Sequence, residues 1–376
     1  MLSLGLSPQA IAAAPLALTQ AQILTIHAPV HALAPPTSPP LSLHRVTIIM
    51  ATYPGVKKDS TNPAYLTALV NNWVNEYWQA SSQNQVAFTV KVNLGWTSLK
   101  VDPCSAPPAS IASKLFQAAA IAAHWVGGDN QNLLLYTPKD PKCGQTLGFG
   151  LLTKTVSQQG LAWVSKATGV VLAHELGHNL GEGHSQLLAC QDAQLNPVVD
   201  APPAQCEVLA YRDLYDEMGA GPNPGLANIP HQLAITKNFF PPYIQASGTY
   251  NLGDISQLIY PTALYIHTSN GEYYLEYRAP TLYDSTTAPG GVLIHKVIAQ
   301  GVPIGSSRYI ASQNDSFLLD AGLSTGDTFS PSNNMTALLN TQISLAAGDV
   351  QIDVTVIDRS KATVVITTSP GVSLLP

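Results

Sequence analysis

The chain is organised around the sequence Val170-Val-Leu-Ala-His-Glu-Leu-Gly-His-Asn-Leu-Gly-Glu-Gly-His184. Read as a helix, it places His174 and His178 on one face, because residues four apart are about one turn apart. Gly181 can end the helix in a left-handed conformation that clashes with no Cβ atom. The chain can then reverse and return His184 as a third nitrogen ligand for the same ion. Three neutral imidazoles with an open fourth position are typical of a catalytic zinc site.

Glu175 follows the first of these histidines and lies about 100° further round the helix. There it can face a metal-bound water and act as a general base without binding the metal. The alternative is an amphipathic helix with a few solvated histidines. That alternative explains His-Glu-x-x-His poorly and the extended pattern with Gly and a third His hardly at all.

The pattern His174-Glu175-x-x-His178-x-x-Gly181-x-x-His184 resembles the signature of the metzincin metallopeptidases. The resemblance implies Zn²⁺ as cofactor, the three histidines as metal ligands and Glu175 as the catalytic residue. It also implies a tight turn that carries a methionine beneath the zinc. Tyr215-Asp-Glu-Met-Gly219 is the matching segment, with Met218 as the structural methionine. Methionine alone is more often a filler of the core.

Composition narrows the class of protein. The chain has 376 residues, of which 45% are hydrophobic and 11% charged, and it contains 27 Gly and 29 Pro. This is typical of a turn-rich protein with much β-strand and room for two domains. The net charge of −6 offers no basic patch, so we expect no nucleic-acid partner. No run of 18 apolar residues is present, so we expect no membrane span.

The segment before the zinc helix predicts a mixed sheet with helices on one face. We expect residues 1–43 to be a leader and linker, since they are rich in Ala and Pro and lack a basic n-region before the first apolar run. The strands and helices that follow are expected in residues 46–51 (strand), 63–80 (amphipathic helix with an aromatic inner face), 86–92 and 94–99 (strands), 111–126 (helix), and 132–137, 146–152 and 161–165 (strands).

This order of elements resembles the upper half of a metzincin catalytic domain. In that family the strand before the last one of the sheet is an edge that pairs with an extended peptide. Here the resemblance assigns that role to Thr146–Leu152, and strand addition is the physical mode of binding.

Four cysteines are present, none in Cys-x-x-Cys spacing and none at the zinc motif. An even number outside metal motifs suits two disulfides in an oxidising compartment, with four reduced structural thiols as the alternative. Neighbourhood in the sequence suggests Cys104 with Cys143, and Cys190 with Cys206 in the Pro- and Ala-rich segment 186–210. We therefore expect a secreted protein.

After Met218 a loop leads to a short helix that Asn228 can cap and in which Pro230 is tolerated in the first turn. We expect His231 in this helix to be a surface or packing residue, with a fourth zinc ligand as the alternative.

From about residue 244 the chain consists of short strand-like runs separated by turn signals, which predicts a β-sandwich. The order of Tyr273-Tyr-Leu-Glu-Tyr-Arg278, Gly290-Gly-Val-Leu-Ile-His295 and Phe317-Leu-Leu-Asp320 resembles the module that follows gametolysin-type catalytic domains. This chain departs from the gametolysin-type pattern at Ser185. Gametolysin-type enzymes usually carry Ala at this position, whereas matrixins carry Ser. No Tyr follows Met218 at a two-residue spacing, so the tyrosine ligand of astacins is absent.

Together these features predict an α+β chain with residues 44–243 as a metzincin-like catalytic domain and residues 244–376 as an all-β sandwich. The catalytic domain is expected to contain a mixed twisted sheet and three main helices, and the sandwich to be a unit that can be removed without loss of zinc. The predicted function is a monomeric, secreted, zinc-dependent endopeptidase that cleaves peptide bonds of extracellular proteins. Two alternatives remain: an inactive zinc-containing binding protein whose sandwich is the working part, and a hydrolase of non-peptide amides.

Overall fold

The protein is a mixed α+β chain built largely from sheets. The computed structural model describes residues 42–101, 108–143, 147–194, 196–220, 225–237, 239–257, 261–268, 271–279, 291–305, 309–319, 342–345, 350–357 and 361–369. The predicted leader 1–43 lies outside these ranges except for its last two residues, which already belong to the first strand.

The first sheet has five strands in the order β2-β1-β3-β5-β4, and only β4 runs antiparallel to its neighbour. Its strands are β1 Ser42–Thr52, β2 Val86–Ser98, β3 Gln131–Tyr136, β4 Gly148–Gly150 and β5 Gly160–Val164. The predicted strands are confirmed here, and the two expected between residues 86 and 99 are one continuous strand. The apolar, partly β-branched run in β1 is buried, as a central strand covered on both faces requires.

Four helices accompany the strands in the described part of the chain. Helix α1 joins Pro63–Ala68, a π-helical turn Leu69–Val74 and Asn75–Ser81, and the other helices are α2 Pro108–Ala122, α3 Gly169–His178 and α4 Ile229–Ile235. The Asn62 side chain accepts the backbone N–H of Ala64 at 2.8 Å and so caps α1. Its inner face buries Trp78, whose indole N–H donates to the Ala173 carbonyl in α3 at 3.2 Å.

The expectation that all helices pack on one face of this sheet is wrong. Helices α1 and α3 share a core with Ile48 and Met50 of β1, whereas α2 packs against Ile49 and Ala51, which point to the opposite face. The cause is topological: β2 lies on one side of β1 and β3 on the other, so the two crossovers move in opposite directions. Right-handed crossovers in opposite directions place their helices on opposite faces.

Strand β4 is the last strand on one side of this sheet in the described part of the chain. It lies inside the predicted edge strand, Thr146–Leu152, but is shorter. Its glycines face α3: a Cβ on Gly148 would lie 2.6 Å from Glu175 Cγ, and one on Gly150 would lie 2.8 Å from His178 Cβ. The glycines therefore allow this edge to approach the predicted zinc helix closely.

A second sheet joins the two predicted domains. Its order is β10-β11-β12-β15-β6-β7, with β8 also paired to β6. Its strands are β6 Ser185–Gln191, β7 Pro197–Val198, β8 Cys206–Leu209, β10 Ala263–Thr268, β11 Gly271–Arg278, β12 Gly291–Val297 and β15 Ser316–Leu319. Strands β6 to β8 fall in a segment for which no strand was expected.

Strand β15 of the predicted C-terminal domain pairs in parallel with β6 of the predicted catalytic domain, so the two predicted domains share one sheet. Strand β6 begins directly after the zinc motif. A chain that ends near residue 244 would lack β15, the strand that pairs with β6.

The remaining strands form two smaller sheets, with the four-stranded order β16-β17-β18-β9 and the pair β13-β14. They are β9 Gly248–Gly253, β13 Pro303–Ile304, β14 Tyr309–Ile310, β16 Gln342–Leu345, β17 Val350–Ile357 and β18 Lys361–Thr368. Apolar side chains of the four-stranded sheet and of β10, β11, β12 and β15 meet in one buried cluster. The strands expected after residue 244 are all confirmed, whereas β13, β14 and β16 were missed. The confirmed strands were expected in residues 249–252, 262–267, 273–277, 292–297, 316–319, 351–356 and 363–367.

One predicted disulfide is confirmed. Cys190 and Cys206 are directly opposite each other on β6 and β8, with Cα atoms 3.9 Å apart, and they are bonded. The expected Cys104–Cys143 bond lies outside what the structure describes, because Cys104 is not among the described residues. None of the described helices is both long and apolar enough to cross a membrane.

Candidate metal centre

Helix α3 carries the first two histidines. The Thr168 hydroxyl caps the helix by accepting the Val171 N–H at 3.4 Å, and Gly169 lies against the Trp73 ring, where a Cβ would come within 2.6 Å of it. The helix ends at His178, and Gly181 has a φ of +96°. The predicted left-handed glycine is confirmed, and it turns the chain back towards the helix.

His174, His178 and His184 come together as the sequence predicts, and they could hold a metal ion. One ring nitrogen of each lies within 4.8 Å of those of the other two. Ring centroids are 5.0 Å apart for His174 and His178, 4.7 Å for His178 and His184, and 5.5 Å for His174 and His184.

The donor set fits zinc. The Nδ1 atom of His174 lies 2.8 Å from the Glu217 carbonyl oxygen, and that of His178 lies 2.8 Å from the Glu182 carbonyl oxygen. Because a carbonyl can only accept, Nδ1 of both rings carries the proton and Nε2 is left as the ligand atom. Zinc–nitrogen bonds of about 2.0–2.1 Å place tetrahedral ligands about 3.4 Å apart, which is compatible with nitrogens that lie within 4.8 Å of one another.

All three imidazoles are held neutral. Burial, as the largest cause, lowers the pKa of His174, and it lowers that of His178 well below its usual range together with the neighbouring His174 and His184. Burial, with smaller effects of His174 and His231, lowers the pKa of His184 to about 3. Neutral rings are the form that binds metal, so the protein holds its ligands ready at neutral pH.

Glu175 is buried between α3 and the edge strand β4. Burial raises the pKa of its carboxyl to about 8, and a hydrogen bond from the Gly150 backbone N–H partly opposes this rise. A carboxyl with a pKa near neutrality is suited to both taking and returning a proton. A cation bound at the three histidines would lower this pKa and favour the carboxylate.

Met218 lies in a tight turn below α3, as its predicted role requires. Its side chain is fully buried, and a Cβ on Gly177 of α3 would lie 2.6 Å from its sulfur. The turn is closed by the Gly219 N–H, which donates to the Asp216 carbonyl at 3.0 Å. The residue before the methionine supplies the carbonyl that orients His174. The turn therefore positions a ligand as well as filling the space beneath the helix.

His231 is not among the clustered ligands and is not at the surface. It is fully buried, with Nδ1 3.0 Å from Asp216 Oδ2 and Nε2 3.8 Å from Glu182 Oε2. Burial alone would lower its pKa, but the carboxylates of Asp216 and Glu182 outweigh burial and raise it to about 10. His231 is therefore a protonated packing residue that neutralises buried acid beneath the site.

Two residues near the histidines were missed from the sequence. Asp315 Oδ1 accepts the backbone N–H of His184 at 2.9 Å, and the Tyr211 ring lies with its centroid 4.3 Å from that of His184. Neither residue has a local signal, since Asp315 reaches the site only through the pairing of β15 with β6. Burial, followed by the carboxylates of Glu175 and Asp315, raises the pKa of the Tyr211 phenol.

Comparisons with known proteins identify no family. No family model matches the chain, and no curated protein matches it. Among solved structures, one titled "Structure of a chaperone-substrate complex" is similar over 38% of this chain and 24% of that chain, with 15% sequence identity and a TM-score of 0.26. A structural similarity this weak indicates neither fold nor function.

Proposed function

We propose that the protein is a secreted zinc-dependent endopeptidase of the metzincin type that cleaves peptide bonds in extracellular proteins. The observation that supports this most is the gathering of His174, His178 and His184 beside the buried Glu175. Two of the ligand rings are oriented by backbone carbonyls, as is usual for metal-binding histidines. The proposal is thus based on the chemistry of the site.

Zinc bound by the three histidines would acidify a water molecule and polarise the carbonyl of a bound peptide. Glu175 is placed to take a proton from a water molecule whose oxygen attacks the carbonyl carbon. When the carbon–nitrogen bond breaks, Glu175 returns the proton to the departing amine. Its buried position keeps bulk water away from the carboxyl and raises its pKa towards neutrality.

Strand β4 supplies the place for the peptide. An extended peptide can add to the outer edge of β4 by main-chain hydrogen bonds, since the described residues place no further strand there. Because the glycines of β4 face Glu175 and His178, such a peptide would run beside the proposed centre. Leu147, Phe149 and Leu151 alternate with the glycines and are partly exposed, so they can contact every second side chain of the peptide.

The proposal includes a division of the chain into two domains. We assign residues 44–243 to a metzincin-like catalytic domain and residues 244–376 to a β-sandwich, supported by the buried cluster between two sheets. The bonded Cys190–Cys206 pair is compatible with an oxidising, extracellular compartment. The second sheet also carries β6, so the sandwich and the catalytic domain share a sheet.

A zymogram tests this proposal. The purified chain is run on casein and gelatin with and without a chelator, then with zinc added back, beside His184→Ala and a matched His267→Gln variant from β10. We expect lysis by the parent and His267→Gln, no lysis after chelation or by His184→Ala, and recovery with zinc. A parent chain that holds one zinc but lyses neither protein contradicts the proposal and favours a binding protein. Cleavage restricted to small non-peptide amides would identify a different hydrolase.

A further inference from the structure

Tyr211 stands at the mouth of the candidate metal centre. Its ring centroid is 4.3 Å from that of His184 and 6.1 Å from that of His174. Tyr211 is 40% exposed, so the residue that contacts two of the ligands also has surface that a bound molecule can reach.

The backbone at Tyr211 is in an uncommon conformation. Its φ is +60°, a left-handed value that a bulky side chain seldom adopts. Such conformations persist only where surrounding contacts impose them, and they are concentrated at functional sites. In this conformation the Tyr211 ring lies against the rings of His184 and His174.

A chain of hydrogen bonds imposes that conformation. The Tyr211 N–H donates to Gln186 Oε1 at 2.6 Å, and Gln186 Nε2 donates to the Tyr309 hydroxyl at 2.9 Å. The Tyr309 hydroxyl donates to Asp315 Oδ2 at 2.8 Å, and the other oxygen of Asp315 accepts the His184 N–H at 2.9 Å. The backbone of Tyr211 is thus tied to the backbone of the third ligand, and its ring lies against that ligand's ring.

We propose that the Tyr211 hydroxyl donates a hydrogen bond to the carbonyl oxygen of the bound peptide as negative charge develops on that oxygen. This rests on the proposed peptidase function. The water oxygen bonds to the carbonyl carbon, Glu175 carries the proton from water to amine, and the carbon–nitrogen bond breaks. Tyr211 keeps its proton throughout and stabilises the charge, which makes it a catalytic residue although it is not a metal ligand.

The competing explanation is that the ring only shields His184 from water. Tyr211→Phe separates the two, because it keeps the ring and removes the hydroxyl. Tyr250→Phe is the matched control, since its hydroxyl donates to the Ala246 carbonyl at 2.7 Å far along the chain in β9. Each chain is loaded with one zinc, and kcat and KM are measured on an unstructured peptide.

We expect kcat of Tyr211→Phe to fall about 100-fold with KM within about twofold, in line with the loss of one donor to a developing oxyanion. A second readout does not depend on turnover. The cobalt-substituted chains are titrated with a phosphinic tripeptide, whose tetrahedral anion mimics the charged carbonyl. Tyr211→Phe should bind it at least tenfold more weakly, while the cobalt absorption bands before titration match those of the parent.

Equal kcat and equal phosphinate affinity in parent and Tyr211→Phe would overturn the inference and leave a shielding role. Loss of metal or altered cobalt bands in Tyr211→Phe would also overturn it, since the hydroxyl would then act on the metal. If the parent cleaves no peptide but binds the phosphinate more tightly than Tyr211→Phe does, the peptidase proposal fails and the donor role of the Tyr211 hydroxyl stands. A parent that binds no phosphinate contradicts both.

Discussion

Asp315 accepts the backbone N–H of His184 at 2.9 Å across 131 positions of sequence. The Ser316 N–H also donates to the His184 carbonyl at 3.1 Å, so both backbone groups of the third ligand are held by the segment that starts β15. Asn314 Nδ2 adds a bond to the Gly181 carbonyl at 2.8 Å. The loop that returns the third histidine is therefore shaped by the C-terminal part of the chain.

Asp315→Ala should weaken zinc binding about 10- to 100-fold, because groups that orient ligands contribute that much to metal affinity. Affinity is measured by competition with a chromogenic chelator, and Asp192→Ala, in an exposed loop, is the control. Unchanged affinity in a folded Asp315→Ala chain would show that the loop needs no support.

A chain ending near residue 244 lacks Asp315 and should bind zinc weakly or fail to fold.

His231→Gln should reduce the free energy of unfolding by about 3–5 kcal/mol at pH 7, because it leaves the Asp216 carboxylate buried without its cation. The measurement is urea unfolding of the metal-free chain, with His267→Gln as control. A loss below 1 kcal/mol would mean that water or another group neutralises Asp216.

The ion pair of His231 and Asp216 also predicts that the free energy of unfolding depends on pH. The pKa of His231 is raised from 6.5 to about 10 in the folded protein. A raised pKa means that the folded state binds the proton more tightly, so this stabilisation is complete below about pH 6.5 and is lost as pH rises through about 10. The difference in unfolding free energy between parent and His231→Gln should therefore shrink between pH 7 and pH 10.5. A difference that grows with pH would contradict the assigned charge.

Gly150→Ala should lower both stability and catalysis. The added Cβ would lie 2.8 Å from His178 Cβ and closer still to the Glu175 carbonyl oxygen, so β4 must move away from α3. Overpacking of this kind costs about 1–3 kcal/mol. Gly248→Ala in β9 is the control, because its nearest neighbour is the Tyr250 phenol at 3.3 Å. Full hydrolytic rate in Gly150→Ala would show that the closeness of β4 and α3 is unimportant.

Local patterns in the sequence were sufficient for the candidate ligands and for most elements. The spacing of His174 and His178 fixes their common helix face, and Gly181 marks the end of that helix at a positive φ. The Cys190–Cys206 bond also follows from neighbourhood, although it crosses two strands that were not expected.

What could not be predicted depends on contacts far apart in sequence. The face on which α2 packs is set by the order of β1, β2 and β3, and the periodicity within α2 does not contain that order. Asp315 reaches His184 only because β15 pairs with β6. The ring of Tyr211 meets the histidines through a left-handed backbone imposed by Gln186, which no residue preference of tyrosine indicates.

Glu175→Gln tests the central claim most directly. Parent and variant are prepared with one zinc per chain, confirmed by elemental analysis, and their rates on casein are compared at neutral pH. The amide is close in size to the carboxyl but cannot take a proton, so we predict unchanged zinc content and a rate at least about 100-fold lower. A Glu175→Gln chain that cleaves casein as fast as the parent at equal zinc occupancy would contradict the account.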